Sequence, residues 1–374
     1  MKARPVLIVC GACYVSGKEL MALELGEGLA HRGLPVTFIT SFWHDGDFAA
    51  RLKHSSLPSR VLRIGFISAT LTKECLRMNL EQTRRWPGLL WGYSRILRLH
   101  GPAKVIHTNW HHLLLLLPFL RPDRDLFWVH EHIPDLPQYR LVFRWFERRL
   151  GCFVCVSNSV ARSLREIGIR DAKIRVIHNG ITDPASPVNS PRQPNRSVRI
   201  GIVGQVAPWK GHDDLIDALA QVGQRHPTAE LHIFGRSDPS YQGSLTRKAI
   251  QLGVADRIKW HGFVADRKLI YGTLDICVVP SRSEDPLPTT ALDAGFFGTP
   301  TVATRCGGLP EVIEHEVNGL LVEAQRPEEI AEALCRLIDH PSLSHYLAVN
   351  ARQRAVERFG AQRFVQDFQE LLRV

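Results

Sequence analysis

Short apolar runs of three to six residues recur along the chain, each separated from the next by a stretch with helical spacing. This alternation constrains the fold more than any other feature. Strands joined by helices pair side by side in parallel, and the helices then cover both faces of the sheet. A first series places strands at Val6–Val9, Pro35–Thr40, Val61–Ile64, Lys104–His107, Leu126–His130, Phe153–Val156 and Ile174–His178, with a helix over Lys18–Arg32. The stretch Asp183–Ser197 carries four prolines and almost nothing apolar, which is the composition of a stiff linker. A second series follows at Val198–Val203, Glu230–Phe234, Ile258–His261, Ile276–Val279 and Thr301–Ala303. The expected fold is α/β, with two doubly wound Rossmann-like domains. The division is 1–182, a linker over 183–197, 198–358, and a last helix within 359–374 that crosses back to the first domain. Ligands of such sheets bind at the carboxyl ends of the strands, so the expected site is the inter-domain cleft.

Composition narrows the class. The 374 residues are 44% hydrophobic and 22% charged, which is globular and leaves no room for disorder as the main state. Eight cysteines are scattered, most of them in apolar runs such as those of Cys152, Cys155 and Cys277; that is the pattern of buried reduced thiols in a cytoplasmic protein, and no zinc site is expected. Lys2 and Arg4 ahead of Val6–Cys10 imitate a short signal peptide, but Leu20, Leu23, Leu25 and Leu29 favour a first strand, a glycine-bearing loop and a helix ending near Gly33. The run Leu113–Leu120 contains Pro118 and is too short to span a bilayer. Residues 1–182 hold 26 Lys and Arg against 14 Asp and Glu, a net of +12, whereas 183–374 hold 21 against 23, a net of −2. A basic first half suits an anionic substrate, an anionic membrane surface or nucleic acid, or is a solvated surface without a role.

Three elements of the second half could carry chemistry. After the strand ending at Val203 come Gly204, Gln205, Lys210 and Gly211, so a lysine stands beside a helix start and glycines let a ligand approach the backbone. An ordinary turn with a surface lysine would look the same. After Ile276–Val279 come Glu284, Asp285, Pro288, Thr289, Thr290 and Asp293. Pro288 suits a first helical turn, the amides of Thr289 and Thr290 would face phosphate oxygens, and Asp293 could accept from ribose hydroxyls. Plain helix-capping acids are the simpler account. Gly307 and Gly308 then form a tight loop ahead of Glu311.

In this order the elements resemble the GT-B-fold retaining glycosyltransferases of the family 4, or group 1, type. The resemblance runs through Val176–Ile181, Val203–Gln205 with Lys210 and Gly211, Leu231–Gly235, His261–Val264, Val279–Ser281, Gly307 and Gly308 with Glu311, and Asn318–Val322. It continues more weakly through Val105–His107, His130 with Glu131, and Val156 with Ser157. It implies a nucleotide-diphosphate sugar as donor, with Lys210 on the diphosphate, Asp285 on the donor sugar and Asp293 on the ribose. The family usually has Glu at both acid positions and often Arg at that of Gln205, which here supplies no charge. Gly235 and Arg236, with Phe263 and Val264, would wall the base and diphosphate. His130 would face the reacting sugar, and Gly11 and Gly17 would lie in the first donor-facing loop.

Catalytic roles are thus expected for His130, Lys210 and Asp285, with no cofactor and no metal; Asp45 with Asp47 has an Asp-x-Asp spacing but lies in the first half, away from the donor half. Expected partners are the nucleotide-sugar donor, a saccharide or lipid-linked acceptor, and an anionic membrane surface, with no nucleic acid. The membrane expectation rests on Arg84, Arg85, Trp86, Trp91, Arg95 and Arg98, and on Arg140, Phe143, Arg144, Trp145, Arg148 and Arg149. The expected location is cytoplasmic, peripheral on the inner membrane face. An impaired sugar-nucleotide-binding relative, and an epimerase or phosphorylase of the same fold, stay open as alternatives.

Overall fold

A computed structural model describes residues 4–11, 15–41, 46–65, 67, 72–184 and 197–373. Most of the proline-rich stretch, at 185–196, and Asp45 lie outside the described residues. The chain forms two compact units, one of the described residues up to Gly180 together with those from Ala361 onward, the other of Ile181–Gly360.

The first unit contains β1 (Val6–Val9), α1 (Gly17–His31), β2 (Val36–Ser41), α2 (Asp47–His54), β3 (Ser59–Leu62), α3 (Lys73–His100), β4 (Lys104–His107), α4 (Trp110–Leu116), β5 (Asp125–Val129), α5 (Pro137–Arg149), β6 (Phe153–Cys155), α6 (Asn158–Glu166) and β7 (Ile174–Val176). The second contains β8 (Arg199–Val203), α7 (His212–Arg225), β9 (Glu230–Phe234), α8 (Pro239–Gln251), β10 (Ile258–Gly262), α9 (Arg267–Thr273), β11 (Ile276–Val279), α10 (Thr289–Phe296), β12 (Thr301–Thr304), α11 (Leu309–Val312), β13 (Leu320–Val322), α12 (Pro327–Asp339) and α13 (Pro341–Phe359). The last helix, α14 (Ala361–Leu372), belongs to the first unit. The strand β13 adds to those expected from sequence, and its residues close the Asn318–Val322 motif.

Strand order is β3-β2-β1-β4-β5-β6-β7 in the first sheet and β10-β9-β8-β11-β12-β13 in the second, and every pair is parallel. Every residue of β1, β5 and β11 is buried, as strands covered on both faces require. In each sheet the order of winding reverses once, between β1 and β4 and between β8 and β11. At such a reversal the two adjacent loops turn to opposite faces and leave a crevice at the carboxyl ends of the strands.

Residues 181 and 182 join the second unit, two positions earlier than the sequence division. Ile181 N donates to Phe359 O at 3.0 Å, and Arg352 makes a two-pronged pair with Asp183 at 2.7 and 2.8 Å. On the other unit α14 packs on α1, where a side chain on Gly28 would overlap Val365. Its Phe364 and Phe368 lie against Trp128 of β5, with ring centroids 5.6 and 4.9 Å away.

Two cysteine pairs have the CxxC spacing, Cys10 with Cys13 and Cys152 with Cys155. Cys13 lies outside the described residues. Cys152 and Cys155 are free thiols flanking and ending β6, and burial pushes both up, Cys155 to about 12, so neither has the low thiol pKa of a reactive redox pair.

Because Phe368 is fully buried, Phe368→Ala is expected to destabilise the first unit by about 3–5 kcal/mol, read as a lower urea midpoint of intrinsic tryptophan fluorescence. An unchanged midpoint would mean that α14 is not part of that core.

Candidate active site

The crevice of the second unit lies where β8 and β11 run side by side. The loops that leave β8, β9, β11 and β12 touch one another through backbone, and glycine makes each approach possible. A Cβ on Gly211 would overlap the Pro280 carbonyl, one on Gly235 the Gly204 carbonyl, and one on Gly307 the backbone of Asp285. All three glycines have positive φ, at 75°, 154° and 55°. Gly308 N donates to Asp285 O at 2.8 Å and so fixes the acid's backbone from the β12 side.

Lys210 ends a short turn after β8, and its Nζ lies 2.5 Å from Asp285 Oδ2. Ser281 Oγ donates to the same oxygen at 3.1 Å, and Thr304 Oγ1 holds the Ser281 carbonyl at 2.8 Å. Asp285 and Ser281 are buried, while 15% of the Lys210 side chain stays exposed, with Nζ 4.2 Å from the centre of the Trp209 ring. The lysine is therefore held between a buried carboxylate and an aromatic face with room to meet an anion.

Arg282 clamps this arrangement. Its amide donates to Trp209 O at 2.8 Å, and its guanidinium forks onto the buried Asp214 of α7 at 2.7 and 2.6 Å. The pair locks the turn that carries Lys210 to the loop that carries Asp285. No local sequence signal marks Arg282, because its partner lies 68 residues away.

The helix α10 opens at the same crevice. Pro288 is its N-cap, with extended backbone, so the helix starts at Thr289, one residue later than expected. Thr290 Oγ1 donates to Val203 O at 3.1 Å and pins the helix start to the end of β8. First-turn amides have no acceptor within a helix, so this end presents positive partial charge. One turn on, Asp293 Oδ1 accepts from Arg267 Nη1 at 2.7 Å. Arg267 opens α9 directly after its N-cap Asp266, a position without any pattern in the sequence. In the adjacent β10–α9 loop Phe263 is exposed, Val264 is half-buried, and Arg236 lies 5.0 Å from the Phe263 ring centre. Gln205 is exposed next to Gly204.

Gly11, Gly17 and His130 belong to the first unit, at the carboxyl edge of its sheet. Gly11 is buried against Ser41, where any side chain would collide, and Gly17 is the exposed first residue of α1. His130 follows β5 with its ring centre 4.3 Å from that of Trp128, and among the described residues its Nε2 has no hydrogen-bond partner. Burial, and then the Lys18 charge, hold His130 well below the ordinary histidine value. The same two causes push His111, in the first turn of α4, down to about 4. Three strand ends, those of β1, β4 and β5, thus bring one lysine and two neutral histidines to the reversal point of this sheet.

Residues 15–183 match the family model described as Glycosyltransferase Family 4, and residues 197–340 match that described as Glycosyl transferases group 1. The chain belongs to the glycosyltransferases of this group 1 and family 4 type, and its two parallel-sheet units are those of the GT-B fold. A glycosyltransferase of Methanocaldococcus jannaschii without characterised function is 32% identical over 223 residues, 55% of this chain and 56% of that one. The chain therefore spans little more than half of that relative's length. The lipopolysaccharide core biosynthesis glycosyltransferase LpsE of Rhizobium meliloti is 26% identical over 300 residues, 73% of this chain and 86% of the relative. Among solved structures, Anabaena HepE in complex with UDP-glucose superposes with a TM-score of 0.81 at 20% identity, covering 99% of each chain.

Removing Arg282 leaves the Asp214 carboxylate buried without its partner. Arg282→Ala is expected to cost about 1–3 kcal/mol of the second unit's stability by urea unfolding, and a neutral result would deny the clamp. On the first unit, His111 and His130 stay neutral when folded but protonate near pH 6.5 when unfolded. The unfolded chain then binds more protons, so stability is expected to fall as pH drops from about 6.5 toward 4. A flat urea midpoint across that window would contradict it.

Proposed function

We propose that the protein is a retaining, metal-independent hexosyltransferase. It would move a sugar from a nucleotide-diphosphate sugar to an acceptor hydroxyl, in the synthesis of a cell-surface polysaccharide, a lipopolysaccharide or a glycolipid. The observation that carries this reading is Lys210 on buried Asp285 beside the open end of α10. Breaking the bond between the anomeric carbon and the diphosphate puts negative charge on the leaving oxygen. A fixed ammonium and helix amides stabilise that charge as it grows, without reorganising. Asp285, tied to Lys210 and Ser281, orients the lysine and offers a carboxylate to the sugar hydroxyls; no covalent sugar intermediate is assigned. His130, neutral at physiological pH, would meet the donor sugar as a hydrogen-bonding group and not as a cation. The names of HepE with UDP-glucose and of LpsE in lipopolysaccharide core synthesis support the donor and acceptor classes.

A cytoplasmic location on an anionic membrane face is part of the same reading. Phe143, expected on this face, is fully buried in the core, whereas Leu141 and Trp145 of α5 are 62% and 52% exposed, flanked by Arg140, Arg144, Arg148 and Arg149. On α3, Trp91 is 63% exposed with Arg95 5.6 Å from its ring centre. Exposed apolar side chains among arginines suit the interface of an anionic bilayer. Among the described residues no helix is long and apolar enough to cross a membrane. A second reading, a sugar-nucleotide-binding relative without turnover, is favoured by the uncharged Gln205 at the site.

A thermal-shift panel of UDP, GDP and ADP, followed by slow hydrolysis of the matching nucleotide sugars, tests both readings. One nucleotide is expected to stabilise the protein, turnover is expected to survive EDTA, and Lys210→Ala is expected to lower kcat by about 10²–10³-fold. No stabilisation and no nucleotide release with any donor would refute the enzyme. Stabilisation without release would favour the second reading. Sedimentation with phosphatidylglycerol vesicles is expected to weaken on combined replacement of Arg144, Arg148 and Arg149 by Ser, and unchanged binding would remove the membrane from the proposal.

A further inference from the structure

A nucleotide places its ribose between its phosphates and its base. If the phosphates sit at Lys210 and the first amides of α10, and the base lies by Phe263, the ribose must bridge from α10 to the β10–α9 loop. One charged pair joins those two elements. Arg267, four residues beyond Phe263, bonds Asp293, one turn beyond Thr289, at 2.7 Å. A second tie holds the same elements in place: the fully buried Tyr271 of α9 donates from its hydroxyl to Thr290 O of α10 at 3.2 Å and stacks on Phe297, with centroids 5.1 Å apart.

The guanidinium is only partly spent. Of its five N–H groups, one goes to Asp293 and one reaches the Thr182 carbonyl at 3.4 Å, and 38% of the side chain is exposed. The Asp293 side chain is 13% exposed beneath it. The carboxylate is thus capped by a cation that faces outward.

We propose that Arg267 recognises the donor ribose. Held in place by Asp293, its guanidinium donates to the ribose hydroxyl oxygens, so the sugar is read by an arginine carried on an acid rather than by the acid alone. The inference rests on the nucleotide-sugar reading and adds to it a residue that sets selectivity for ribose.

The test is calorimetric titration of the full chain with whichever of UDP, GDP or ADP stabilises it, with the 2′-deoxy form of the same nucleotide, and with inorganic pyrophosphate. The unaltered protein is expected to prefer the ribonucleotide by about tenfold, the size of one hydrogen bond to a charged donor. R267A is expected to bind both nucleotides equally, at the weaker level, with pyrophosphate affinity unchanged. R267K, which keeps the charge without the fork, is expected to restore part of the preference. Full ribose preference in R267A overturns the proposal. A parallel loss of pyrophosphate affinity also overturns it, because Arg267 would then serve the fold or the diphosphate. Binding of no nucleoside diphosphate by the unaltered protein overturns the nucleotide-sugar reading itself, and this proposal with it.

Discussion

A parallel strand buried on both faces has only its ends for polar chemistry. In each unit the helices shield the sheet, so charge that must meet a ligand collects where strands stop and loops begin. The reversal of winding between β8 and β11 then selects one such place in the second unit. Gly211, Gly235 and Gly307 make the place dense, because each lets one loop lie on another's backbone where a side chain would collide. The Lys210, Asp285 and Arg282 contacts all depend on that close approach.

Two ion pairs organise this crevice. Lys210 with Asp285, and Arg267 with Asp293, each set a cation on an acid that is more buried than its partner. Burying an acid alone would be costly, and the pairing removes that penalty while leaving the cation at the surface. The crevice consequently presents positive groups outward although its net charge is near balance. This reconciles the proposed anion site with the net charge of −2 in that half of the chain. The first unit, which carries the positive excess, shows the other side of the same physics: around Lys18 the histidines are kept neutral by burial and by that single charge.

Much of this was legible in the chain before any coordinates. Apolar runs at strand length, separated by helical spacing, point to parallel α/β units, because the intervening helices serve as the crossovers that parallel strands need. The glycine loops after Val203 and Thr304 and the proline before Thr289 mark where the loops beyond the strand ends come together. Pro288 is a cap because the helix needs an extended residue before its first turn. The domain boundary shifted by two residues because Ile181 finds its hydrogen bond on Phe359, a partner almost half the chain away.

Sequence alone determined the class of fold and singled out Lys210, Asp285 and Asp293 as charged groups beyond the strand ends of the second unit. These follow from local period, turn chemistry and residue type, which act over a few positions. Tertiary structure alone decided which charges meet. Lys210 and Asp285 are 75 residues apart, Arg282 and Asp214 are 68, and Arg267 and Asp293 are 26. No local pattern encodes such pairs, because they arise only when separate strands end side by side on one sheet edge and glycines let their loops touch.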